Sequence, residues 1–139
     1  MKISVFPNLN NDGVRELTDE IVTKLKSYGA NVSIDSADIK DSDIVIAVGG
    51  DGTTLNIAKM ASFEGKPTLG INAGRLGFMS GLEKNELHLL KNLVDGQFQT
   101  EERMMLKAEI FENGEKKDTF HCLNDAVITR GDLARLIDI

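Results

Sequence analysis

The residues best suited to chemistry in this 139-residue chain lie in Val48-Gly49-Gly50-Asp51-Gly52-Thr53-Thr54. An apolar, β-branched run, Ile44-Val45-Ile46-Ala47-Val48, precedes them and reads as a strand buried on both faces. Leu55-Asn56-Ile57-Ala58-Lys59-Met60-Ala61 follows with helical spacing and helix-forming residues. Strand, glycine-rich turn and helix N-terminus in that order form a geometry that seeks phosphate. Glycines let backbone approach a ligand, and first-turn N–H groups with the helix dipole favour an anion. An acid at the centre of such a turn is out of place if anion binding is its only task. A carboxylate held where phosphates collect can take the proton of an acceptor hydroxyl, or hold Mg²⁺. The residue types leave both roles open for Asp51. The Gly-Lys-Ser/Thr ending of a P-loop is absent.

The elements that position this turn can be read in order. Ile3-Ser4-Val5-Phe6 forms a first strand, and residues 7–13 a loop in which Asn10, Asn11 or Asp12 caps the next helix. Val14, Leu17, Ile21, Val22 and Leu25 share one helical face, with Gly29 placed as its stop. Residues 31–35 read as a second strand, 35–43 as an acidic connection, 44–48 as the third strand and 68–72 as the fourth. Short apolar strands separated by helices imply a mainly parallel sheet covered on both faces, a Rossmann-like three-layer α/β/α domain. In such sheets ligands sit outside the C-terminal strand ends, where the turns after Val48 and Ile71 both fall.

Leu87, Leu89, Leu90, Leu93 and Val94 fit one amphipathic helix, stopped at Asp95-Gly96. Beyond it the period changes to alternation, from Met105 to Ile110. Asn113-Gly114 signals a hairpin, with its return strand expected at 120–129. Residues 130–132 read as a loop and 136–139 as the opening of another strand. We therefore expect a nucleotide-binding α/β domain over 1–99 and the beginning of an incomplete β-rich domain over 100–139. Unpaired strand edges there favour swapping or self-association.

Composition narrows the function classes. Hydrophobic residues make up 41% and charged residues 27%, as in an ordinary globular chain. The net charge of −6 comes from interspersed charges without a basic face, so binding to nucleic acid or an acidic membrane is not expected. No apolar run approaches the roughly 18 residues of a membrane span. The single cysteine, Cys122, excludes an internal disulfide framework and suits a reducing cytoplasm. Two histidines and one cysteine make a zinc site or Cys-His catalysis improbable.

Three motifs then carry a resemblance. Gly49-Gly50-Asp51-Gly52-Thr53 resembles the signature shared by NAD kinases, diacylglycerol and sphingosine kinases and 6-phosphofructokinases. Gly70-Ile71-Asn72-Ala73-Gly74-Arg75-Leu76-Gly77-Phe78-Met79 resembles the matching NAD kinase segment, which lipid kinases lack. Leu123-Asn124-Asp125-Ala126-Val127-Ile128 is similar to the same family's Asn-Glu or Asn-Asp pair. The resemblance implies phosphoryl transfer from ATP, or polyphosphate, to the 2′-hydroxyl of the adenosine ribose of NAD, giving NADP. It implies Asp51 as proton acceptor, with Asp51 and Gly52 lining the NAD site. It further implies that Asn124 and Asp125 contact the dinucleotide and that Arg135 stands at the same site. Mg²⁺ or another divalent cation accompanies ATP in that reading. The parent protein is expected to be a homo-oligomer, a dimer or tetramer. Asn56 departs from the pattern, since many members carry a basic residue five positions after the aspartate. The family also continues into a β-sandwich domain that completes both nucleotide sites. Only its first strands are present here, so this stretch reads as a truncated protein, inactive or nearly so alone. The rivals are a lipid kinase and a non-catalytic nucleotide-binding module.

Overall fold

The computed structural model describes the chain apart from residues 11, 35–38, 75–76, 124, 128, 131–132 and 137–139; at 129–130 and 133–136 only the backbone is described. The chain divides into two compact units, Met1–Glu101 and Glu102–Ile139.

The first unit is α/β. Strands β1 (Lys2–Pro7), β2 (Asn31–Ile34), β3 (Ile44–Gly49) and β4 (Thr68–Asn72) form a parallel sheet in the order β2-β1-β3-β4. Every residue of β3 is buried, as its unbroken apolar run requires of a central strand with both faces covered. Helix α1 (Val14–Ser27) lays Val14, Leu17, Ile21, Val22 and Leu25 on one face of the sheet, against Ile3, Val5, Ile46 and Val48. Helix α2 (Asp51–Phe63) covers the other face with Ile57 and Ala61, packed with Phe6, Val45 and Ala47. A 3-10 turn at Ile39–Asp41 adds Ile39 to that second layer.

Two of the local expectations in this unit need correction. The N-cap of α1 is Gly13, whose left-handed φ of +75° turns the chain into the helix without a side-chain cap; Asn10 and Asp12 do not take that place, and Asn11 lies outside the described residues. The single helix expected around 87–94 is instead a 3-10 segment, Lys84–Leu89, running into a short helix α3 (Leu90–Val94). A capping box between Glu83 and Glu86 tightens its start, while Leu87, Leu90 and Leu93 still reach the core beside α1. Gly29, Gly65 and Gly96 follow α1, α2 and α3 with φ of +90°, +63° and +75°. The paired bonds Ala30 N–H to Leu25 O and Gly29 N–H to Lys26 O close α1 in the same way that Lys66 and Gly65 close α2.

The second unit opens with an antiparallel hairpin of β5 (Leu106–Glu112) and β6 (Glu115–Cys122). Asn113 and Gly114 both have positive φ, 52° and 82°, which fits the mirror-image turn that a two-residue loop needs. This tight turn starts the return strand at Glu115, so the expected 120–129 strand is displaced toward the N-terminus. Thr129–Arg130 (β7) pairs separately with Leu133–Leu136 (β8), placing strand where a loop was expected at Arg130. Residues 137–139 lie outside the described residues. Among the described residues no helix is long and apolar enough to cross a membrane.

Candidate functional site

The parallel register of β3 and β4 sets Val48 beside Ile71 and Gly49 beside Asn72. Both glycine-rich turns therefore leave the sheet at the same edge and height. In the second turn Phe78 and Met79 lie beside the start of α2, and residues 81–82 return along β4. There Ile71 and Leu82 form a parallel bridge, and Gly81 and Leu82 donate their N–H groups to Gly70 O.

Asp51 is the first residue of α2, with Gly50 as an extended N-cap. A carboxylate in a first turn is favoured by the helix dipole. Its stronger ties are to the neighbouring turn. Asp51 Oδ2 accepts the Phe78 N–H at 3.0 Å and Oδ1 accepts the Met79 N–H at 3.0 Å. The acid that looked misplaced in a phosphate cradle thus joins the two turns. The close approach depends on Gly77, because a Cβ there would collide with Asp51 Oδ1 and stand 3.2 Å from Ser80 Oγ. That Ser80 hydroxyl is buried and has no hydrogen-bond partner among the described residues.

Further residues support the second turn. Asn72 is fully buried, and its Nδ2 donates to both Glu83 carboxylate oxygens, at 3.2 and 2.9 Å. Its Oδ1 accepts the Gly74 N–H at 3.1 Å. Glu83 is also the residue that opens the 3-10 segment, so one clasp fixes both ends of the loop. Nothing in the spacing of Asn72 and Glu83 singles out this pair. The available signal was an amide at the end of a buried strand, which cannot stay buried without partners.

On the opposite side of Asp51, Asn8 Nδ2 donates to Thr53 Oγ1 at 3.2 Å, and Asn8 N–H donates to Val48 O. A cavity of about 350 Å³ lies there between the end of β1 and the first turns of α2. Phe6, Pro7, Asn8, Gly52, Thr53, Asn56 and Ile57 line it. Gly52 and Asn56 are thus placed beside an open space, and Asn56 puts an amide there rather than a cation.

Phe78 does not pack into a core; it is 96% exposed at the crest of the second turn. Asp125 is exposed in the second unit, after β6, and Arg135 falls within β8 with only its backbone described. Asn124, Arg75 and Leu76 lie outside the described residues. The structure accordingly brings Asp51 and Gly52 together in the first unit, while Asn124, Asp125 and Arg135 belong to the second. Among the described residues no group of three His, Cys, Asp or Glu side chains gathers to hold a metal.

Comparison with known proteins decides the family. The model of the ATP-NAD kinase N-terminal domain matches residues 9–98. The chain belongs to the NAD kinase family. It is 34% identical to an NAD kinase of Acetivibrio thermocellus, over 100% of this chain and 54% of that protein. It is 36% identical to an NAD kinase of Caldanaerobacter subterraneus subsp. tengcongensis, over 99% of this chain and 55% of that protein. The chain therefore spans about half the length of these relatives. Among solved structures it resembles an NAD kinase from Archaeoglobus fulgidus in complex with ATP, with a TM-score of 0.56 and 21% identity. That match covers 88% of this chain and 58% of the other and supports the fold.

Proposed function

We propose that this chain is the N-terminal portion of an enzyme that phosphorylates the 2′-hydroxyl of the adenosine ribose of NAD, using ATP or polyphosphate and yielding NADP. The observation that carries this reading is the Asp51 carboxylate. It stands at a helix N-terminus on the ligand-binding edge of the sheet, oriented by two backbone amides from the adjoining turn. Phosphoryl transfer asks the protein mainly to position groups and stabilise charge, with a base to receive the acceptor's proton. A carboxylate fixed by amides retains lone pairs for a substrate hydroxyl, and its orientation is set before substrate arrives.

In this reading Asp51 accepts the 2′-hydroxyl proton as the hydroxyl oxygen forms its bond to phosphorus. Asp51 and Gly52 line the NAD site, and Asn124, Asp125 and Arg135 reach the same dinucleotide. An amide with a carboxylate offers the donors and acceptors that ribose hydroxyls and an adenine edge require. In this reading a divalent cation arrives with the phosphates of ATP. It would neutralise charge on those phosphates. The domain division at about residue 99, a cytoplasmic setting and a homo-oligomeric parent belong to the same proposal.

The test replaces the matching half of the Acetivibrio thermocellus protein with residues 1–139. The chimera should form NADP from NAD and ATP. Asp51→Asn should lower its turnover about 10²–10⁴-fold while NAD binding persists. Full turnover of the Asp51→Asn chimera would remove Asp51 from the role of base. Residues 1–139 alone should form NADP slowly or not at all. Turnover within the usual enzymatic range of roughly 1–10³ s⁻¹ would overturn that. Nucleotide binding by an inactive chimera would favour a non-catalytic module.

A further inference from the structure

The amides that hold Asp51 sit on a loop whose own side chains do little to fix it. Ala73 and Leu82, at its two ends, pack against the main core, and no described residue between them does. Phe78, which supplies one of the two amides, is 96% exposed. Ser80 Oγ is buried without a hydrogen-bond partner among the described residues, a cost that opposes the close approach. The crest of the loop therefore takes its height from its ends and from Asp51.

Those ends are locked together. Asn72 stands beside Gly49 in the β3–β4 register, and the Ala73 N–H donates to Gly49 O at 3.0 Å, two residues before Asp51. At the far end the Gly81 N–H donates to Gly70 O at 2.9 Å, and the Asn72 N–H donates to Leu82 O at 2.9 Å. One side-chain pair closes the foot of the loop: Asn72 Nδ2 reaches both Glu83 oxygens, at 3.2 and 2.9 Å. The Glu83 N–H in turn donates to Glu86 Oε2 at 2.8 Å, which anchors that end to the 3-10 segment. A buried amide bonded to a carboxylate at both oxygens is a stiff joint, because neither group can leave without stranding the other.

From this arrangement we infer that Asn72 and Glu83 are positioning residues for Asp51: their clasp closes the foot of the loop, sets the height of the Phe78 and Met79 amides, and so selects the rotamer of the carboxylate. Reading Asp51 as a proton acceptor rests on the function proposed above; the coupling of the clasp to its orientation does not. A clasp serving stability alone would loosen the whole α/β unit when cut and leave the Asp51 rotamer as it was.

The test is Glu83→Ala in ¹⁵N,¹³C-labelled 1–139. Glu83 is half-buried and outside the core, so its truncation leaves the fold intact. Three-bond couplings across the Asp51 χ1 bond should report one rotamer in the parent chain and averaging in the variant. Exchange of the Phe78 and Met79 amides should quicken about tenfold more than that of Val45 and Ile46 in the central strand. Glu83→Ala also removes half of the capping box. Glu86→Ala removes the other half with Asn72 still paired, and it should leave the rotamer single. Glu83→Gln, which keeps an acceptor for Asn72 Nδ2, should restore most of the order. In an Asp51→Ala background Glu83→Ala should add little at Phe78 and Met79, since the bonds it disturbs are already gone. A single Asp51 rotamer in Glu83→Ala, an equal response in Glu86→Ala, or the full effect in the Asp51→Ala background would overturn the proposal. The chimera described above then reads the consequence for turnover. There Glu83→Ala should lower kcat for NADP formation about 10–10²-fold with KM for NAD little changed, and Glu83→Gln should recover it. An unchanged kcat beside an averaged rotamer would count against Asp51 as the base and leave the positioning role standing.

Discussion

Gly77→Ala is the substitution that most directly probes the link between the two turns. The added methyl would run into Asp51 Oδ1 and lie 3.2 Å from Asp51 Cγ. Either the carboxylate rotates away or the turn lifts, and each outcome breaks the bonds to Phe78 and Met79, both 3.0 Å long. Hydrogen bonds to a charged group contribute about 1.5–3 kcal/mol each when well buried. Asp51 is only half-buried and Phe78 is exposed, so about 1 kcal/mol per bond is the better figure. The expected loss is about 2 kcal/mol. With an m-value of about 2 kcal/mol/M, the urea midpoint of the α/β unit should fall by about 1 M, read by far-ultraviolet circular dichroism. Hydrogen exchange at the Phe78 and Met79 amides should quicken as well. The same substitution made in an Asp51→Ala background isolates the mechanism. With no carboxylate to displace, it should cost at least about 1 kcal/mol less. Equal costs in the two backgrounds, or unchanged protection of the two amides, would refute the idea that Gly77 acts through Asp51.

Other perturbations reach other parts of the molecule. Asn72→Asp should destabilise the α/β unit by about 2–4 kcal/mol at neutral pH, because two carboxylates then face each other where an amide bonded both Glu83 oxygens. One acid of that pair acquires a raised folded-state pKa, so the penalty grows as pH rises past the unfolded value and shrinks in acid; a denaturation midpoint indifferent to pH would count against the account. The Lys107 ammonium, hydrogen-bonded to Glu109, holds that carboxyl below its ordinary value, with its charge and then Lys116 assisting. A lowered folded-state pKa adds stability above the unfolded value and loses it as pH falls through the folded one, so Lys107→Ala should move the Glu109 carboxyl ¹³C titration upward and an unmoved curve would show the pair to be inert. Gly114→Ala should loosen the β5–β6 hairpin by about 1 kcal/mol, since Gly114 sits at φ +82°, and faster exchange of the cross-strand amides would report it.

What could be read from the sequence depended on how local the cause was. The buried run of β3, the one-sided face of α1 and the shared edge of the two turns follow from periodicity and chain order, and all are present. The cap of α1 was misplaced because Asn and Asp are favoured caps in general, whereas a left-handed glycine reaches the same entry with backbone alone. The return strand begins earlier than the apolar content of 120–129 suggests, because the charged Glu115, Lys116 and Asp118 pair just as well on an exposed ribbon, with Lys117 the extra residue of a bulge. The greater lesson concerns Asp51. Motif and spacing identified it as a group that could take a proton or hold a metal. They gave no sign that its two oxygens are matched to two amides twenty-seven and twenty-eight residues further on. That contact exists only because parallel pairing of β3 and β4 brings two remote turns to one height, and because position 77 lacks a side chain. Under the proposed function, a base oriented in this way gains from a tether that backbone supplies, because backbone amides cannot titrate and do not change rotamer. The same tether makes the orientation of the Asp51 carboxylate sensitive to any change in the 72–82 loop. Under the proposed function, the buried Asn72–Glu83 clasp, which holds the ends of that loop, is therefore a positioning element for Asp51.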